Sequence, residues 1–296
     1  MRCPILAMTF TLLVAASRPA SAQRVMLDSI ATADTSLHHE VRTRDGSRFV
    51  GRVVSVSPDS IGMVLRSGPV TLARGQVREV RQFGAASLHN GEYWAENPNP
   101  TRLLFSATAY SLRRGSGYYW NSWILLHGFA VGVTDRLTLG GGFSLVPGIG
   151  IENNFFFVTH KLTLTGGTGP QVAVGALAGF FPGIGSNGDG GSLGILYGVS
   201  SLGTRENNLS LGLGWGYVES NIADRPVIMV GGQARVSRRL ALISENWFVP
   251  GDGYNGVLSY GFRFLGDKLS VDLAFINSLE NAIFPGIPWL GFAVKF

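Results

Sequence analysis

The strongest constraint on the fold is an alternation of bulky and small side chains, two residues in period, that recurs through the second part of the chain. In residues 209–217 a bulky side chain stands at every second position, with serine or glycine between. Residues 258–264, 269–275 and 287–296 repeat this pattern, and the last of them ends on Phe296. Because successive side chains of a β-strand point to opposite faces, each stretch is predicted to be a strand with one bulky face.

Twelve such stretches, each about ten residues long, are predicted between residue 101 and the C-terminus. They are 101–112, 121–133, 137–146, 154–164, 171–181, 193–203, 209–220, 227–237, 240–249, 257–265, 269–277 and 287–296. Short connections between them alternate with longer ones, which predicts one antiparallel sheet. Poor alternation at 123–129 and 155–161 leaves counts of ten or fourteen strands open.

The composition indicates what surrounds this sheet. The chain is 45% hydrophobic and only 15% charged, and it has 41 glycines among 296 residues. Soluble domains average ~25% charged residues and ~7% glycine. A soluble sheet would place Lys, Glu and Thr on its wet face, whereas rows of glycine fit a crowded interior with the bulky row facing lipid. Beyond the N-terminus no apolar run approaches the ~20 residues of a transmembrane helix. The sequence therefore predicts an all-β fold with a transmembrane β-barrel.

The last strand carries a more specific signal. Leu290, Phe292, Val294 and the terminal Phe296 share one face. An alternating last strand that ends in Phe resembles the closing strand of bacterial outer-membrane β-barrel proteins. The resemblance implies a barrel in the outer membrane of a Gram-negative bacterium, contact with outer-membrane lipid, and recognition of this strand by the barrel-assembly machinery. It also implies that the short connections and both ends of the barrel lie on the periplasmic side.

Residues 1–22 have the features of a secretory signal peptide. Arg2 precedes an apolar run at 5–16, and small residues at the end of the segment provide a cleavage site. The single cysteine, Cys3, lies within this segment, so disulfide bonds are not expected in the mature chain. Residues 23–37 show no convincing pattern and are expected to be flexible or to form a single helical turn.

Residues 38–83 are predicted to form a small separate β domain of about five strands. Asp45-Gly46 marks a hairpin turn between two of them. The order of strands and turns resembles the small SH3-like or Sm-like barrels. The proline-containing segment 84–100 then serves as a linker to the barrel at 101–296, because proline cannot continue a strand ladder.

This small domain holds most of the positive charge. Eight arginines stand against four acidic residues in 38–83, whereas from residue 84 onward 13 basic residues balance 13 acidic ones. The expected location is the periplasm, since a signal peptide directs the chain out of the cytoplasm. A solvated basic face and contact with peptidoglycan or anionic lipid headgroups are both open, while nucleic acid is not an expected partner.

Charged residues within the predicted strands are expected to point into the barrel, because a charge at the midplane of the lipid-facing surface costs ~2–4 kcal/mol. Parity with bulky neighbours gives seven lumenal candidates: Arg102, Lys161, Arg235, Glu245, Arg263, Asp272 and Lys295. Two interpretations are open. The side chains pair across the lumen and fill a narrow barrel, or five positive charges against two negative ones give a passage with a weak preference for anions.

The sequence offers little for catalysis, metal binding or a cofactor. A twelve-stranded lipid hydrolase would have Ser two residues after His on one strand, but Phe129 follows His127 and Leu162 follows His160 at that spacing. Neither the adjacent histidines near the N-terminus nor the glycine-rich segment 185–190 has the further carboxylates of a metal site. No metal or cofactor is therefore expected. Three functions remain: a narrow passage for small solutes; a structural barrel that binds the cell wall or a protein partner; and an outer-membrane lipid-modifying enzyme with another constellation of residues.

Overall fold

The computed structural model of the protein describes residues 23–296 except 31, 33, 149, 151–152, 183–189 and 251–254. The predicted signal peptide 1–22 and most of the glycine-rich segment 185–190 lie outside these residues. The described chain is mainly β-structure, with three short 3-10 turns at Leu27–Ser29, Arg74–Gln76 and Ala85–Ser87. None of the helices in this described part is both long and apolar enough to cross a membrane.

The N-terminal part forms an antiparallel sheet of six strands that is separate from the larger sheet. Its strands are β1 Gln23–Val25, β2 Leu37–Thr43, β3 Arg48–Val56, β4 Ser60–Leu65, β5 Gly68–Ala73 and β6 Val77–Gly84. They lie in the order β1-β6-β2-β3-β4-β5. Gly46, with a positive φ of 89°, forms the predicted turn between β2 and β3. Val41, Ile61 and Met63 are buried in a core that belongs to this sheet alone.

The sheet extends beyond the predicted limits of 38–83. β1 comes from the segment that was expected to be flexible and pairs with β6, and the same segment contains the turn Leu27–Ser29. The predicted linker also begins with ordered structure, a hairpin of β7 Leu88–His89 and β8 Glu92–Tyr93. Tyr93 packs on Phe83 of β6, and burial raises the pKa of the Tyr93 phenol to about 12. The resemblance to SH3-like or Sm-like barrels stays a prediction.

The chain from Gly117 to Lys295 forms a closed antiparallel barrel of twelve long strands. They are β9 Gly117–Ser122, β10 Leu126–Gly132, β11 Leu137–Ser144, β12 Phe156–Thr163, β13 Gln171–Phe181, β14 Gly191–Gly203, β15 Asn207–Val218, β17 Val227–Ser237, β18 Leu240–Phe248, β19 Gly256–Leu265, β20 Leu269–Ser278 and β21 Ile287–Lys295. The two-residue strand β16, Asn221–Ile222, extends the edge of β15. Closure is complete because β21 pairs with β9 and β14 pairs with β15. The predicted count of twelve is confirmed.

The bulky residues of the alternating stretches lie on the outside of this barrel. On β15 Leu209 and Leu211 are 58% and 57% exposed, whereas Ser210 between them is 0% exposed. The aromatic row Tyr260, Phe262 and Phe264 of β19 is exposed in the same way. This arrangement confirms the predicted facing, since the small and polar residues point inward.

Two predicted strands are wrong. Residues 101–112 form no strand; the first long strand is β9, which begins in the predicted loop 113–120 and ends at Ser122. The predicted strand 121–133 is instead divided by a tight turn in which Trp123 and Ile124 have positive φ. The Asn121 side chain stabilises that turn, because its Oδ1 accepts from Ile124 N at 3.0 Å and its Nδ2 donates to Ile124 O at 3.1 Å. One strand is lost and one gained, so the count stays at twelve.

The barrel has a short-turn end, which carries the connections 133–136, 164–170, 204–206, 238–239 and 266–268, and a long-loop end opposite. Both termini of the barrel lie at the short-turn end, where Gly117 N donates to Phe296 O at 3.3 Å. The N-terminal sheet contacts the same end through the ion pair Arg81–Asp267 and a second pair, Arg238–Glu40, at 3.7 Å.

Candidate functional site

The interior of the barrel is filled by residues 95–112, called the plug below. Its residues are buried except for Glu96, Phe105 and Ala107. The apolar side chains of Leu103, Leu104 and Ala109 pack against wall residues from six different strands: Ala173, Val199, Met229, Ile243, Ala274 and Trp289. Contacts on so many sides place the plug in the lumen.

The plug packs closely against the wall at Gly231 of β17. A Cβ at this position would come within 2.6 Å of Leu103 Cδ1, so only glycine leaves room for the leucine. On the other side of the lumen Leu112 packs with Tyr118 and Trp120 of β9 and with Phe157 of β12. The inward-facing small residues of the wall thus accommodate a segment of chain.

The most buried contact with the plug is made by Arg263, which is 0% exposed. Its Nε and Nη2 donate to the two carboxylate oxygens of Asp272 at 2.7 and 2.9 Å. The same guanidinium donates to the plug carbonyls of Asn99 at 3.0 Å and Leu103 at 2.7 Å, and to Gln233 Oε1 at 3.0 Å. This pairing between β19 and β20 therefore also binds the plug backbone.

Two further wall residues bind the plug backbone, and one of them, Glu245, binds the turn at its tip. Glu245 accepts from the backbone N–H of Phe105 at 2.9 Å and of Ser106 at 3.0 Å through Oε2, while its Oε1 accepts from Trp247 Nε1 at 2.8 Å. Lys161 Nζ donates to three plug carbonyls, those of Thr101, Thr108 and Tyr110, at 2.7–3.0 Å. Because these bonds satisfy the backbone groups of the plug, the segment has no need of strand neighbours.

The remaining strand candidates lie nearer the short-turn end. Arg235 donates through Nη1 to the plug carbonyl of Ala95 at 2.6 Å and pairs with Glu206 at 2.8 Å. Lys295 lies 3.4 Å from a carboxylate oxygen of Glu96 and is only partly buried.

Arg102 differs from the other six candidates because it belongs to the plug. Its guanidinium lies over the Trp120 ring, 4.2 Å from the centroid. Within the described residues, neither its Nε nor its Nη2 has a hydrogen-bond partner. All seven candidates are thus inside the barrel or at its mouth. Arg263 and Asp272 pair with each other as neighbours on the adjacent strands β19 and β20 and not across the lumen, while Lys161 and Glu245 bind plug backbone. Whether any of them contacts a solute stays a prediction.

A cavity of about 140 Å³ lies between the plug and the long-loop end. Arg102 and Phe105 of the plug line it, and Phe105 is 45% exposed. The principal side chains from the wall are Trp120, Phe157, Ile195, Tyr197, Met229 and Trp247. The cavity is therefore mainly apolar, and of the described residues that line it, Arg102 and Lys161 are charged.

Sequence reasoning missed the uncharged polar residues that hold the plug. Ser201 Oγ accepts from Ala109 N at 2.9 Å, and Thr138 Oγ1 accepts from Leu112 N at 3.0 Å. Asn97 donates to Gln233 at 3.3 Å. Alternation along the strands indicates that Ser201, Thr138 and Gln233 face inward, but it gives no sign of their partner, because the plug reads as a proline-containing linker followed by a strand.

The predicted assembly residues lie on the strand that closes the barrel, β21. The side chains of Leu290, Val294 and Phe296 are exposed on the outside of the barrel. The ring centroids of Phe292 and Tyr119 of β9 are 5.9 Å apart. Within the described residues, no group of three or more His, Cys, Asp or Glu side chains could hold a metal ion.

The chain is similar to solved outer-membrane proteins at the level of structure. No protein-family model matches it, and no curated protein sequence does. The KdgM porin in complex with disordered oligogalacturonate gives a TM-score of 0.42 at 9% identity, covering 61% of this chain and 96% of that one. The outer-membrane expressed OmpT of Vibrio cholerae and OmpF of Salmonella typhi, in complex with daunomycin, each give 0.34, at 12% and 10% identity, covering 88% of this chain and 95% of theirs. At these values the similarity does not extend to a substrate or an activity.

Proposed function

We propose that the protein is an integral outer-membrane β-barrel protein that serves as a narrow passage for small solutes, with the plug as its gate. The observation that carries the proposal is the plug itself, which is held in the lumen by polar contacts to several strands. The exposed bulky rows support the membrane location, because lipid tails are the solvent in which such a surface is stable. The passage is closed while the plug is seated and opens when it shifts.

The proposed orientation places the short-turn end and the N-terminal sheet in the periplasm. Short periplasmic turns and longer outer loops are the usual asymmetry of such barrels. The contact of the sheet with Asp267 and Arg238 supports the same side for both. The protein is proposed to have no catalytic activity. Its buried charged side chains have structural partners: Glu245 and Lys161 bind the plug backbone, and Asp272 pairs with Arg263.

A disulfide bond between the plug and the wall tests whether movement of the plug opens the passage. Ser111 Oγ of the plug and Thr163 Oγ1 of β12 are in hydrogen-bond contact, so the variant S111C/T163C brings two thiols together. A chain without its signal peptide has no other cysteine. In planar bilayers we expect the oxidised variant to be closed and the reduced variant to return to the conductance of the wild type. Equal conductance in both states would refute the plug as a gate.

A second candidate function is binding of the cell wall by the N-terminal sheet. Arg44, Arg48, Arg52, Arg66 and Arg78 are exposed, and among the described residues none of them has an ion-pair partner. We expect the full-length protein to be retained by purified peptidoglycan at low salt and released as salt screens the charges. The variant R44Q/R48Q/R52Q should lose retention, and R225Q, in a barrel loop, should keep it. Retention that changes neither with salt nor in the triple variant would contradict this function.

We also propose that β21 is the strand that the barrel-assembly machinery recognises. The support is its place at the barrel seam and the terminal Phe296, which hydrogen-bonds Gly117 of β9. Deleting Phe296 should lower the amount of folded protein in the outer membrane several-fold, although chain ends usually tolerate truncation. Normal levels of the truncated protein would count against this role.

A further inference from the structure

Arg102 stands out among the charged side chains of the lumen. It is 6% exposed, and no hydrogen-bond acceptor among the described residues serves its Nε or Nη2. The two lumenal carboxylates are engaged elsewhere: Asp272 with Arg263, and Glu245 with plug backbone and Trp247. Leaving a buried charged donor without a partner costs more than leaving a neutral one.

The backbone of Arg102 is fixed within the plug at the floor of the cavity. The carbonyl of Arg102 accepts from Arg263 Nη1 at 3.3 Å, and the residue forms an isolated bridge with Ala107. On one face the guanidinium lies against Trp120. The backbone of Arg102 is thus fixed. Its Nε and Nη2 lie just beneath the cavity surface without an acceptor among the described residues, and they face the cavity when the guanidinium turns away from Trp120.

Lys161 adds a second positive charge to the same lining. Its three N–H donors are used by the plug carbonyls, so it contributes charge and no free donor. Among the residues that the structure describes, none in the lining is acidic. The electrostatic character of this part of the cavity is therefore that of an anion site whose hydrogen bonds come from Arg102.

The rest of the lining is apolar, so it favours a ligand whose remaining part is apolar. Phe105, Ile195, Tyr197 and Met229 surround the space with carbon, and Phe105 is exposed toward it. An apolar cavity of roughly 150 Å³ is large enough for benzene. The cavity of about 140 Å³ thus has room for one aromatic ring or a short alkyl chain.

We propose that this cavity binds a small monocarboxylate with an apolar body, such as an aromatic carboxylate. Its carboxylate accepts two parallel hydrogen bonds from Arg102, whose planar fork matches that geometry. Its ring occupies the space beside Phe105 and Met229. The proposal names the solute class for the lumen and rests on the proposed function only in that the same plug forms the floor of the site.

Benzoate probes the proposed site directly, because it has both an aromatic ring and a carboxylate. Benzyl alcohol, which has the ring without the charge, and acetate, which has the charge without the ring, are the controls. Full-length protein in nanodiscs is titrated with each by calorimetry, with Trp120 and Trp247 fluorescence as a second readout. We expect benzoate to bind about ten- to one-hundred-fold tighter than benzyl alcohol, because a charged hydrogen bond is worth that factor, and acetate to bind weakest.

The variant R102M keeps an aliphatic side chain over Trp120 and removes the charge. It should weaken benzoate to the level of benzyl alcohol and leave benzyl alcohol unchanged, while R225Q, in a loop away from the cavity, should bind like the wild type. Benzoate binding that does not exceed benzyl alcohol in the wild type, or that survives R102M, overturns the site. The wild-type comparison decides even where R102M fails to fold. The conductance of S111C/T163C is a separate result, so a failed gate with selective benzoate binding refutes the passage alone.

Discussion

The N-terminal sheet and the barrel have opposite interiors. In the sheet, Val41, Ile61 and Met63 are buried and most of the arginines are exposed. In the barrel, Arg263 and Asp272 are buried and leucine and phenylalanine rows are exposed. Both regions are antiparallel β-structure with alternating side chains, so the alternation alone does not decide which face is the inside.

The medium in contact with each region decides which face is buried. The sheet is proposed to stand in water, which favours burial of its apolar face. The barrel is proposed to stand in lipid, where its apolar face is already in a favourable solvent and the inner face must satisfy its own polar groups. The plug provides many of those partners, because its backbone N–H and C=O groups bind the wall side chains. The barrel core therefore holds buried charges beside its apolar cluster, and charge balance there matters more than in the sheet.

The largest expected effect comes from unbalancing that core. D272N removes the charge that pairs with Arg263, and breaking a buried pair by removing one partner costs about 3–5 kcal/mol. In the sheet, D28N removes the partner of Arg74; Asp28 is 77% exposed, and such pairs contribute at most about 1 kcal/mol. Urea unfolding in detergent, followed by heat-modifiable gel mobility for the barrel and by hydrogen exchange for the sheet, measures both.

The double variant R263M/D272L is the control for this prediction. Replacing both charges by apolar side chains removes the unpaired charge, so it should recover part of the stability that D272N loses. Recovery is incomplete because the plug carbonyls of Asn99 and Leu103 lose their donor. Similar small effects for D272N and D28N would break the contrast between the two regions.

The same contrast explains how far the sequence predicts the structure. Rows such as 209–217, in which every second residue is bulky, identify strand and facing because the wall has only two sides. The segment 101–112 has a similar share of apolar residues and was predicted as a strand, but its backbone bonds to side chains such as Lys161 and Glu245, which are distant in sequence. Their charge and parity indicate that they face inward. Their partner depends on a fold that brings residue 245 to residue 105, and no local pattern records it.

A smaller effect concerns apolar truncation. I61A leaves a cavity in the sheet core and should cost about 2–5 kcal/mol. L211A, on the outer surface of β15, should cost about 2 kcal/mol, because only the transfer term is lost and lipid or detergent chains fill the space. The comparison is made by equilibrium unfolding of each variant. A larger loss for L211A than for I61A would contradict a lipid-facing surface at that position.

The smallest expected effect is a pH dependence confined to the sheet. His39 is buried there, its Nδ1 accepts from Val53 N at 3.4 Å, and burial lowers its pKa from the ordinary value of 6.5. The unfolded chain therefore binds more protons below pH 6.5, so stability that is complete above this pH declines as the pH falls through the folded pKa. Hydrogen exchange of β2 and β3 should show the decline, H39Q should flatten it, and H89Q should not. A decline that persists in H39Q would assign it to another group.

The central claim is that the barrel is inverted relative to the sheet, with lipid outside and the plug inside. Leu211 and Met229 allow this claim to be tested at a single depth in the barrel wall. Leu211 pairs with Val230, the residue after Met229. The Leu211 side chain is exposed on the outside, and that of Met229 is buried inside. Spin labels on L211C and M229C in liposomes report contact with oxygen, which concentrates in lipid, and with a water-soluble nickel complex. The account predicts high oxygen contact at residue 211 and low contact with both relaxants at residue 229. Strong contact of the nickel complex with residue 211 would contradict it, because that outer face would then lie in water.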